Sequence, residues 1–316
     1  MKAQPHKLLI IVPVYEDWES LSELVKETQA LENNNKIPPV FFLVVNDGSV
    51  QTLPTKEICE NPAIFILNLA RNNGHQRAIA IALAYAAHHF QPEAVVVMDA
   101  DGEDKPADIP SLMEQFVQTG GHHVVFAQRA KRSESLVFRL FYQIYKILFV
   151  LLTGKTISFG NFLIMPFKEV KRITHMGELW NSLPGAILKS SLLVDTVPLS
   201  RGRRYRGKSK MNFVSLVAHG LGAISVHIEV VAIRLLLLTL FFIITFFISI
   251  LVVIFIKVYF TISLPGWASI FVMGLTTLLI QSFGTIAVLI FLTLNHRTQA
   301  QVIPYHDYKK FLLQDL

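Results

Sequence analysis

The chain has 316 residues, of which 52% are hydrophobic and 16% are charged, whereas roughly 25% of the residues in an ordinary soluble domain are charged. This composition excludes an intrinsically disordered chain, because a chain with so few charges and a mean hydropathy of +0.45 collapses in water. Cys59 is the only cysteine, which excludes a disulfide scaffold. The formal net charge is +6, and only four basic and two acidic residues follow Arg234.

The first 127 residues alternate short apolar runs with helical segments, which is typical of a parallel sheet covered by helices. The N-terminal apolar run is soon followed by Glu16 and Asp17, so it predicts a buried strand and not a signal peptide. Ligands of such sheets bind at the carboxyl ends of the strands. The predicted strands are 8–14, 40–45, 63–68, 94–98 and 123–127, and the predicted helices are 18–31, 74–89 and 108–119.

Three of these strands end in turns that are rich in hydrogen-bond acceptors, namely 15–17, 46–49 and 99–104. Together, at one edge of the sheet, they predict a nucleotide pocket. Asp99 and Asp101 offer hard oxygen ligands to Mg²⁺ or Mn²⁺, and such a cation can in turn hold a diphosphate. The alternative is an acidic turn that caps the helix beginning near Pro106. His75, at a helix start, could touch a phosphate.

Residues 135–152 are apolar enough to suggest a membrane span, but Arg139, Gln143 and Lys146 recur at helical spacing and form one polar stripe. Burying two cations at the centre of a bilayer costs roughly 5–7 kcal/mol on insertion scales. The segment therefore predicts an interfacial helix, which keeps the stripe toward water or the active site. Residues 211–227 predict a second interfacial helix, with helix packing in an ordinary core as the alternative.

Residues 201–210 contain six basic side chains and no acid, which is unfavourable unless anions lie nearby. This segment could meet the phosphates of a substrate, or it could hold anionic lipid headgroups at about 1 kcal/mol per basic residue. The two roles are compatible. Nucleic acid is not an expected partner, because no aromatic stacking platform accompanies the charge.

Two long apolar runs follow. Residues 235–256 contain no charge and would reach about 33 Å as a helix. Leu264-Pro265-Gly266 breaks the pattern before a second run at about 268–292. The pair predicts a transmembrane hairpin, with two buried helices of a soluble core as the alternative. Basic residues flank the hairpin on its outer sides, and the connecting loop holds only Lys257, so both termini are expected to be cytosolic.

These motifs, taken in order, resemble the family 2 glycosyltransferases of the GT-A fold, and among them the polyprenyl-phosphate glycosyltransferases, the group of dolichyl-phosphate mannose synthase and its bacterial relatives. The resemblance covers almost the whole chain. It implies a cytosolic α/β GT-A domain with a mostly parallel sheet at 1–230, a transmembrane hairpin at 231–295 and a cytosolic tail at 296–316. The motifs are Val12-Pro13-Val14-Tyr15, Asn46-Asp47-Gly48-Ser49, Arg71-Asn72-Asn73-Gly74, Asp99-Ala100-Asp101, the Arg129 segment, Arg204-Tyr205-Arg206-Gly207-Lys208-Ser209-Lys210 and Pro265-Gly266-Trp267.

The resemblance also implies roles for individual residues. The nucleotide-sugar would be bound by Pro13, Tyr15, Asp17, Asp47, Arg71, Gly74 and Asp99. Mg²⁺ or Mn²⁺ would be held by Asp99, Asp101 and Glu103. The phosphate of the acceptor would be bound by Arg129, Arg139, Arg204, Ser209 and Lys210, and the catalytic residues would be Asp99, Asp101 and Arg129.

The implied activity is the inverting, metal-dependent transfer of a sugar from a UDP- or GDP-sugar to a polyprenyl phosphate. The expected location is the cytosolic face of a bacterial-type cytoplasmic membrane, and a homo-oligomer is compatible with the resemblance. The second pKa of a phosphate monoester is about 6, so the acceptor is mostly ionised at pH 7 and no general base is strictly required.

Two positions depart from the family's pattern. Asn161, in Ser158-Phe159-Gly160-Asn161-Phe162-Leu163, stands where the family frequently has an aspartate, and Asn46 also replaces a usual aspartate. These departures motivate a second hypothesis, a catalytically silent membrane module that binds nucleotide-sugar or lipid phosphate. A glycosyltransferase with a different lipid acceptor is a further alternative. A processive polysaccharide synthase would need a Q-x-x-R-W segment and more spans, and neither is present.

Overall fold

The computed structural model describes residues 8–50, 54–129, 136–156, 159–206, 213–260, 266–298 and 302–313. The chain divides into two compact units. The first unit comprises 1–146, 156–226 and 301–316, and the second comprises 147–155 and 227–300.

Seven strands of the described chain form one sheet in the first unit: β1 (Leu8–Val14), β2 (Val40–Asn46), β3 (Ile64–Asn68), β4 (Ala94–Val97), β5 (Val124–Arg129), β6 (Phe159–Pro166) and β7 (Val194–Leu199). They are ordered β3-β2-β1-β4-β6-β5-β7. Of these strands, only β6 runs antiparallel to its neighbours. The mostly parallel α/β sheet predicted from the sequence is therefore present.

Helices cover both faces of this sheet. The described helices are α1 (Trp18–Asn33), α2 (Lys56–Cys59), α3 (His75–His89), α4 (Ile109–Gln118), α5 (Leu136–Thr153), α6 (Phe167–Thr174), α7 (Leu183–Lys189), α8 (Phe213–Ser225), α9 (Ile228–Tyr259), α10 (Trp267–Thr298) and α11 (Pro304–Asp307). One buried cluster packs the alanine-rich α3 against the sheet, and a second packs α1 and α4 against the opposite face. Because both faces are covered, β1, β2 and β4 are nearly continuous apolar runs.

Five predicted strands agree with the structure within two residues, but β6 and β7 were not predicted. In β7, Asp195 and Pro198 interrupt the apolar pattern, and every residue is at least partly exposed. The β6 sequence includes Gly160, Asn161 and a terminal Pro166, which weaken the strand signal. Their partners, β4 and β5, lie tens of residues earlier in the chain, so these pairings could not be read from local patterns.

The second unit contains α9 and α10, which pack along each other. Both are long and apolar enough to cross a membrane, with mean hydropathies of 3.1 over Ile228–Tyr259 and 2.1 over Trp267–Asn295. Almost none of their described side chains is buried within the protein itself, which differs from two buried helices of a soluble core.

The topology defines one site at the edge of the sheet. β1 pairs with β2 on one side and with β4 on the other, so the chain order reverses around it. Parallel sheets bind ligands in the crevice at such a switch point, beyond the carboxyl ends of the strands. Val14, Asn46 and Val97 end these three strands, and the turns that follow them form the candidate site.

Candidate active site

The acidic turn, residues 99–104, follows β4 and is shaped by its own carboxylates. Asp104 is buried, and its Oδ2 accepts a hydrogen bond from the Asp99 N–H at 3.0 Å. The Oδ1 of Asp101 accepts from the Glu103 N–H at 2.9 Å. No side-chain cap hydrogen bond is formed at the N-termini of the short helix Pro106–Asp108 and of α4. The helix-capping alternative therefore does not describe what these carboxylates do.

The basic segment, defined here as residues 201–206, lies directly against the acidic turn. Arg204 is bound to two carboxylates, with its Nη2 at 2.7 Å from Asp101 Oδ2 and its Nε at 3.1 Å from Glu103 Oε1. Arg201 also pairs with Glu103. Two backbone bonds of 2.9 Å, from the Tyr205 N–H to the Asp101 carbonyl and from the Gly202 N–H to the Glu103 carbonyl, complete the contact. Arg201 and Arg204, two of the six basic residues predicted to need nearby anions, therefore pair with carboxylates of the acidic turn.

Steric fit and α1 also hold the basic segment in place. Gly102 has φ +85°, and a Cβ there would lie 2.7 Å from the Tyr205 ring, so only glycine allows this approach. The Tyr205 hydroxyl donates to Glu27 Oε2 at 2.7 Å, and Arg206 Nη1 lies 2.5 Å from Glu19 Oε2. Burial and the Glu27 carboxylate raise the pKa of Tyr205, so the phenol stays a neutral donor.

A polar network reaches Asp99 from the other side. His75 Nε2 lies 3.2 Å from Asp99 Oδ1 and 2.9 Å from Asn161 Nδ2. Gln76 Nε2 donates to Asn161 Oδ1 at 3.0 Å, while Gln76 Oε1 accepts the Leu183 N–H at 2.9 Å. Asp99 and Asn161 both contact Nε2 of His75. The Asp99 carboxylate favours a proton on this nitrogen, whereas the Asn161 N–H favours its free lone pair.

Three carboxylates near His75 affect the pKa of its ring. Burial lowers the pKa of His75, but the charge and hydrogen bond of Asp99, with the charges of Asp104 and Asp47, raise it above its ordinary value. The network therefore places a positively polarised ring beside the carboxylate that follows β4.

The backbone wall, defined as residues 46–49 and 71–74, forms the opposite side of the site. The Asp47 carboxylate accepts the Asn73 N–H at 2.7 Å and the Gly74 N–H at 3.0 Å. Burial raises the pKa of Asp47, whereas these two amides lower it. Gly48 has φ +72°, and a Cβ there would lie 2.4 Å from the Arg71 carbonyl carbon and from the Asn72 nitrogen. The two segments are thus locked together through their backbones.

The remaining predicted nucleotide-site residues lie along the same strand ends. Pro13 is buried within β1, Tyr15 is 44% exposed, Asp17 precedes α1, and Arg71 is exposed on the backbone wall. Glu16 links the first two turns, because its N–H donates to Ser49 Oγ at 2.9 Å. The structure therefore brings the three predicted turns to one edge of the sheet.

Four candidate phosphate-binding side chains fall outside the described residues. Arg129 is the last residue of β5 and Arg139 belongs to α5, but their side chains are not described. Ser209 and Lys210 lie in the undescribed stretch 207–212. Their roles remain predictions.

The donor set suits a hard divalent cation that arrives with a phosphate ligand. Among the described residues, no group of three His, Cys, Asp or Glu side chains converges as a complete metal cage. Mg²⁺ commonly uses one or two carboxylates, substrate phosphates and waters in place of such a cage. Of the predicted ligands Asp99, Asp101 and Glu103, one or two carboxylates are enough for such a cation, and the three do not converge as a group.

Sequence reasoning missed several contributors to the site. Gln76, Tyr205 and Asp104 were not singled out, and the contacts of His75 with Asp99 and Asn161 were not foreseen. The available signal was position: His75 and Gln76 follow the Gly74 turn directly, and Asp104 lies in the acidic run itself.

The sequence model of glycosyl transferase family 2 matches residues 9–175, more than half of the chain. The chain belongs to this family. The match covers β1 to β6, the backbone wall and the acidic turn, but not the basic segment.

Relatives agree with this assignment. The uncharacterized glycosyltransferase YkcC of Bacillus subtilis is 27% identical over 286 residues, covering 84% of this chain and 82% of that protein. The undecaprenyl-phosphate 4-deoxy-4-formamido-L-arabinose transferase of Edwardsiella ictaluri is 27% identical over 215 residues, covering 66% of this chain and 64% of that enzyme.

Solved structures establish the fold. The glucosyl-3-phosphoglycerate synthase of Mycobacterium tuberculosis, in complex with Mn²⁺, UDP-glucose and phosphoglyceric acid, has a TM-score of 0.52 at 14% identity and covers 72% of this chain and 80% of that one. The mannosyl-3-phosphoglycerate synthase of Rubrobacter xylanophilus has a TM-score of 0.50 and covers 70% and 72%. The GT-A fold implied by the sequence motifs is confirmed.

Proposed function

We propose that this family 2 glycosyltransferase moves a sugar from a UDP- or GDP-sugar to a polyprenyl phosphate at the cytosolic face of a membrane. The observation that carries the proposal is the meeting of Asp101 and Glu103 with Arg201 and Arg204 at the strand ends. Two helices long enough to cross a membrane occur in the same chain. A relative acts on undecaprenyl phosphate by its name.

The donor would bind between the backbone wall and the acidic turn. Pro13, Tyr15, Asp17, Asp47, Arg71 and Gly74 would contact the nucleotide, and all lie near the carboxyl ends of β1 to β3. Asp99, Asp101 and Glu103 would hold Mg²⁺ or Mn²⁺, which when bound would offset the charge of the donor diphosphate. The Mn²⁺ and UDP-glucose named for the mycobacterial structure support this choice of ligands.

The acceptor phosphate would bind at the basic segment, with Arg129, Arg139, Ser209 and Lys210 as further contacts. Arg204 already makes charge-assisted contacts with two carboxylates. A guanidinium recognises phosphate with the same planar donor geometry. Arg204 and Arg201 would therefore exchange a carboxylate partner for a phosphate when substrates enter.

The chemical step is a displacement at the anomeric carbon of the sugar. An oxygen of the lipid phosphate forms a bond to this carbon, the bond to the nucleoside diphosphate breaks with its electron pair, and the configuration inverts. The nucleophile is already ionised at pH 7, so no proton has to be removed. Asn161 is therefore compatible with turnover, and its amide orders His75 and Gln76.

Labelled UDP- or GDP-sugar, added with Mg²⁺ or Mn²⁺ to membranes that carry the protein, should give a labelled lipid. Asp101→Asn should lower the initial rate about a hundredfold or more, because electrostatic stabilisation of the leaving group is lost. Glu114→Gln, a charge-neutralising change on the exposed face of α4, should leave the rate unchanged. An undiminished rate in Asp101→Asn would refute the proposal.

The silent membrane module is retained as a second candidate because Asn161 provides no carboxylate where the family frequently has one. The same preparation separates the two functions. Nucleotide binding that depends on metal, without product from any donor, would favour the silent module, whereas product formation rejects it.

A further inference from the structure

The C-terminal tail, residues 302–313, packs against other elements of the first unit. Tyr308 is only 2% exposed and belongs to the buried cluster around α3. The Trp180 indole N–H donates to the Val302 carbonyl at 2.7 Å, and Phe311 packs on the Trp180 ring with centroids 5.1 Å apart. The Tyr305 ring lies against His88 and His175, with centroids 4.1 Å apart in each case.

The end of this tail pairs with the chain that leaves β3. Leu69 and Leu312 form an antiparallel bridge. The Ala70 N–H donates to the Phe311 carbonyl and the Leu313 N–H donates to the Asn68 carbonyl, each at 2.9 Å. β3 is an edge strand of the sheet, and an edge presents unpaired backbone groups that a further strand can satisfy. The tail supplies those partners just beyond the carboxyl end of β3.

The paired residues lead directly into the backbone wall. The Asn68 Oδ1 accepts from Asn46 Nδ2 at 2.9 Å, and Asn46 Oδ1 accepts the Ser49 N–H at 2.9 Å. Ala70 immediately precedes residues 71–74, whose amides bind Asp47. Asn68 therefore connects the tail to residues 46–49 through its side chain, and Ala70 connects the tail to residues 71–74 through the backbone.

We propose that the tail is a positioning element of the nucleotide subsite, acting through the Leu313 N–H and the Phe311 carbonyl on residues 68–70. This inference rests on the proposed function, in which the backbone wall contacts the donor nucleotide. Burial of Tyr308 anchors the tail, and the backbone pairing fixes the wall that the nucleotide meets.

Leu313→Pro tests the pairing with little change to packing. Proline has no N–H, so the bond to Asn68 is lost. The Leu313 side chain is 58% exposed, and Leu312 has φ −76° and ψ 142°, a conformation that a following proline accepts. Leu313→Ala is the matched control, because it removes the same side chain and keeps the N–H.

Three measurements on the full-length protein in detergent test the proposal. In Leu313→Pro, amide hydrogen exchange should rise at 68–74 and stay unchanged in β1, and the dissociation constant of UDP or GDP with Mn²⁺ should increase about fivefold. In the transfer assay, KM for the donor should rise by a similar factor while kcat changes little. Leu313→Ala should match the wild type in all three.

Unchanged exchange at 68–74 in Leu313→Pro would overturn the inference. So would faster exchange there with unaltered nucleotide affinity, or an equal rise across β1, since either result makes the tail a merely structural support. A wild-type protein that binds neither nucleotide would refute the proposed function. The exchange comparison would then still decide whether the tail orders the wall.

Discussion

The two sides of the candidate site are held by different kinds of interaction. The acidic turn is held to the basic segment by two backbone hydrogen bonds and by the close approach of Tyr205 to Gly102. It is also held by side-chain ion pairs, in which Arg204 is 26% exposed and Asp101 is 15% exposed. The backbone wall is held by amides that bind Asp47 and by the close approach of Gly48 to residues 71 and 72. The ion pairs of the acidic turn can exchange a carboxylate for another anion, whereas the backbone wall cannot lose its contacts without losing its shape.

This difference matches what each side would have to do. A nucleotide is recognised by a fixed surface, because pre-organised contacts lose less entropy on binding. Phosphates of donor and acceptor enter and leave, and a guanidinium binds a phosphate with the same planar donor geometry that it offers a carboxylate. The ion pairs between the acidic turn and the basic segment can therefore open and re-form during turnover while the backbone wall stays folded.

The largest effect is expected from Gly48→Ala, which attacks the fixed side. The new Cβ would lie 2.4 Å from two backbone atoms at a positive φ, and overpacking with left-handed strain costs about 2–4 kcal/mol. Unfolding experiments should show this loss, and binding of UDP and GDP should fall at least tenfold. Gly74→Ala is the control, because no atom lies within 4 Å of its Cβ position and only the strain remains. Equal losses in the two variants would contradict a sterically locked wall.

A smaller effect, mainly on activity, is expected from Arg204→Gln on the exchangeable side. The stability should fall by about 1–2 kcal/mol, because two largely buried carboxylates lose a partner, while Arg201 still pairs with Glu103. kcat/KM should fall about tenfold to a hundredfold, as charge-assisted contacts to phosphate are lost. Lys26→Gln is matched in charge and loses only an exposed pair with Glu57, so its activity should stay near that of the wild type. If Arg204→Gln destabilised the protein as much as Gly48→Ala, the distinction between the two sides would fail.

The sequence revealed the exchangeable side better than the fixed one. Asp99 and Asp101 stand out because carboxylates follow an apolar strand, and the basic residues at 201–206 stand out because no acid balances them locally. Acidic and basic segments can be found from local composition alone, without knowing which residues of distant segments pair. The sequence predicted phosphates or lipid headgroups as the partners of the basic residues, and it did not predict that Asp101 and Glu103 would pair with Arg204.

The contacts that fix the backbone wall could not be predicted, because they depend on register between distant segments. Gln76 meets Asn161 across 85 positions, and Leu312 meets Leu69 only after the chain has passed through α9 and α10. The Asn46-Asp47-Gly48-Ser49 motif indicated a turn, but the identity of the backbone that Gly48 approaches follows from the fold alone.

The smallest effect is expected from pH, through the tail that supports the fixed side. His89 contacts the Tyr308 hydroxyl at 3.2 Å and stacks on Tyr85. Burial lowers the pKa of His89, and the charges of His88 and Lys309 lower it further. The docked tail therefore disfavours the protonated ring. Docking should be strongest above about pH 6.5, the ordinary histidine pKa, and should weaken as the pH falls toward the lowered value.

Hydrogen exchange at 68–74, corrected for the intrinsic effect of pH, should therefore become faster below about pH 6.5. His89→Gln cannot take up the proton, so its exchange should depend less on pH. His123→Gln is the control, because His123 pairs with Asp195 on β7 and not with the tail. Identical pH profiles for the wild type and His89→Gln would show that protonation of this ring does not reach the wall. If the exchange at 68–74 depended less on pH in His89→Gln but not in His123→Gln, the backbone wall would be held in place only while the His89 ring beside the tail is neutral.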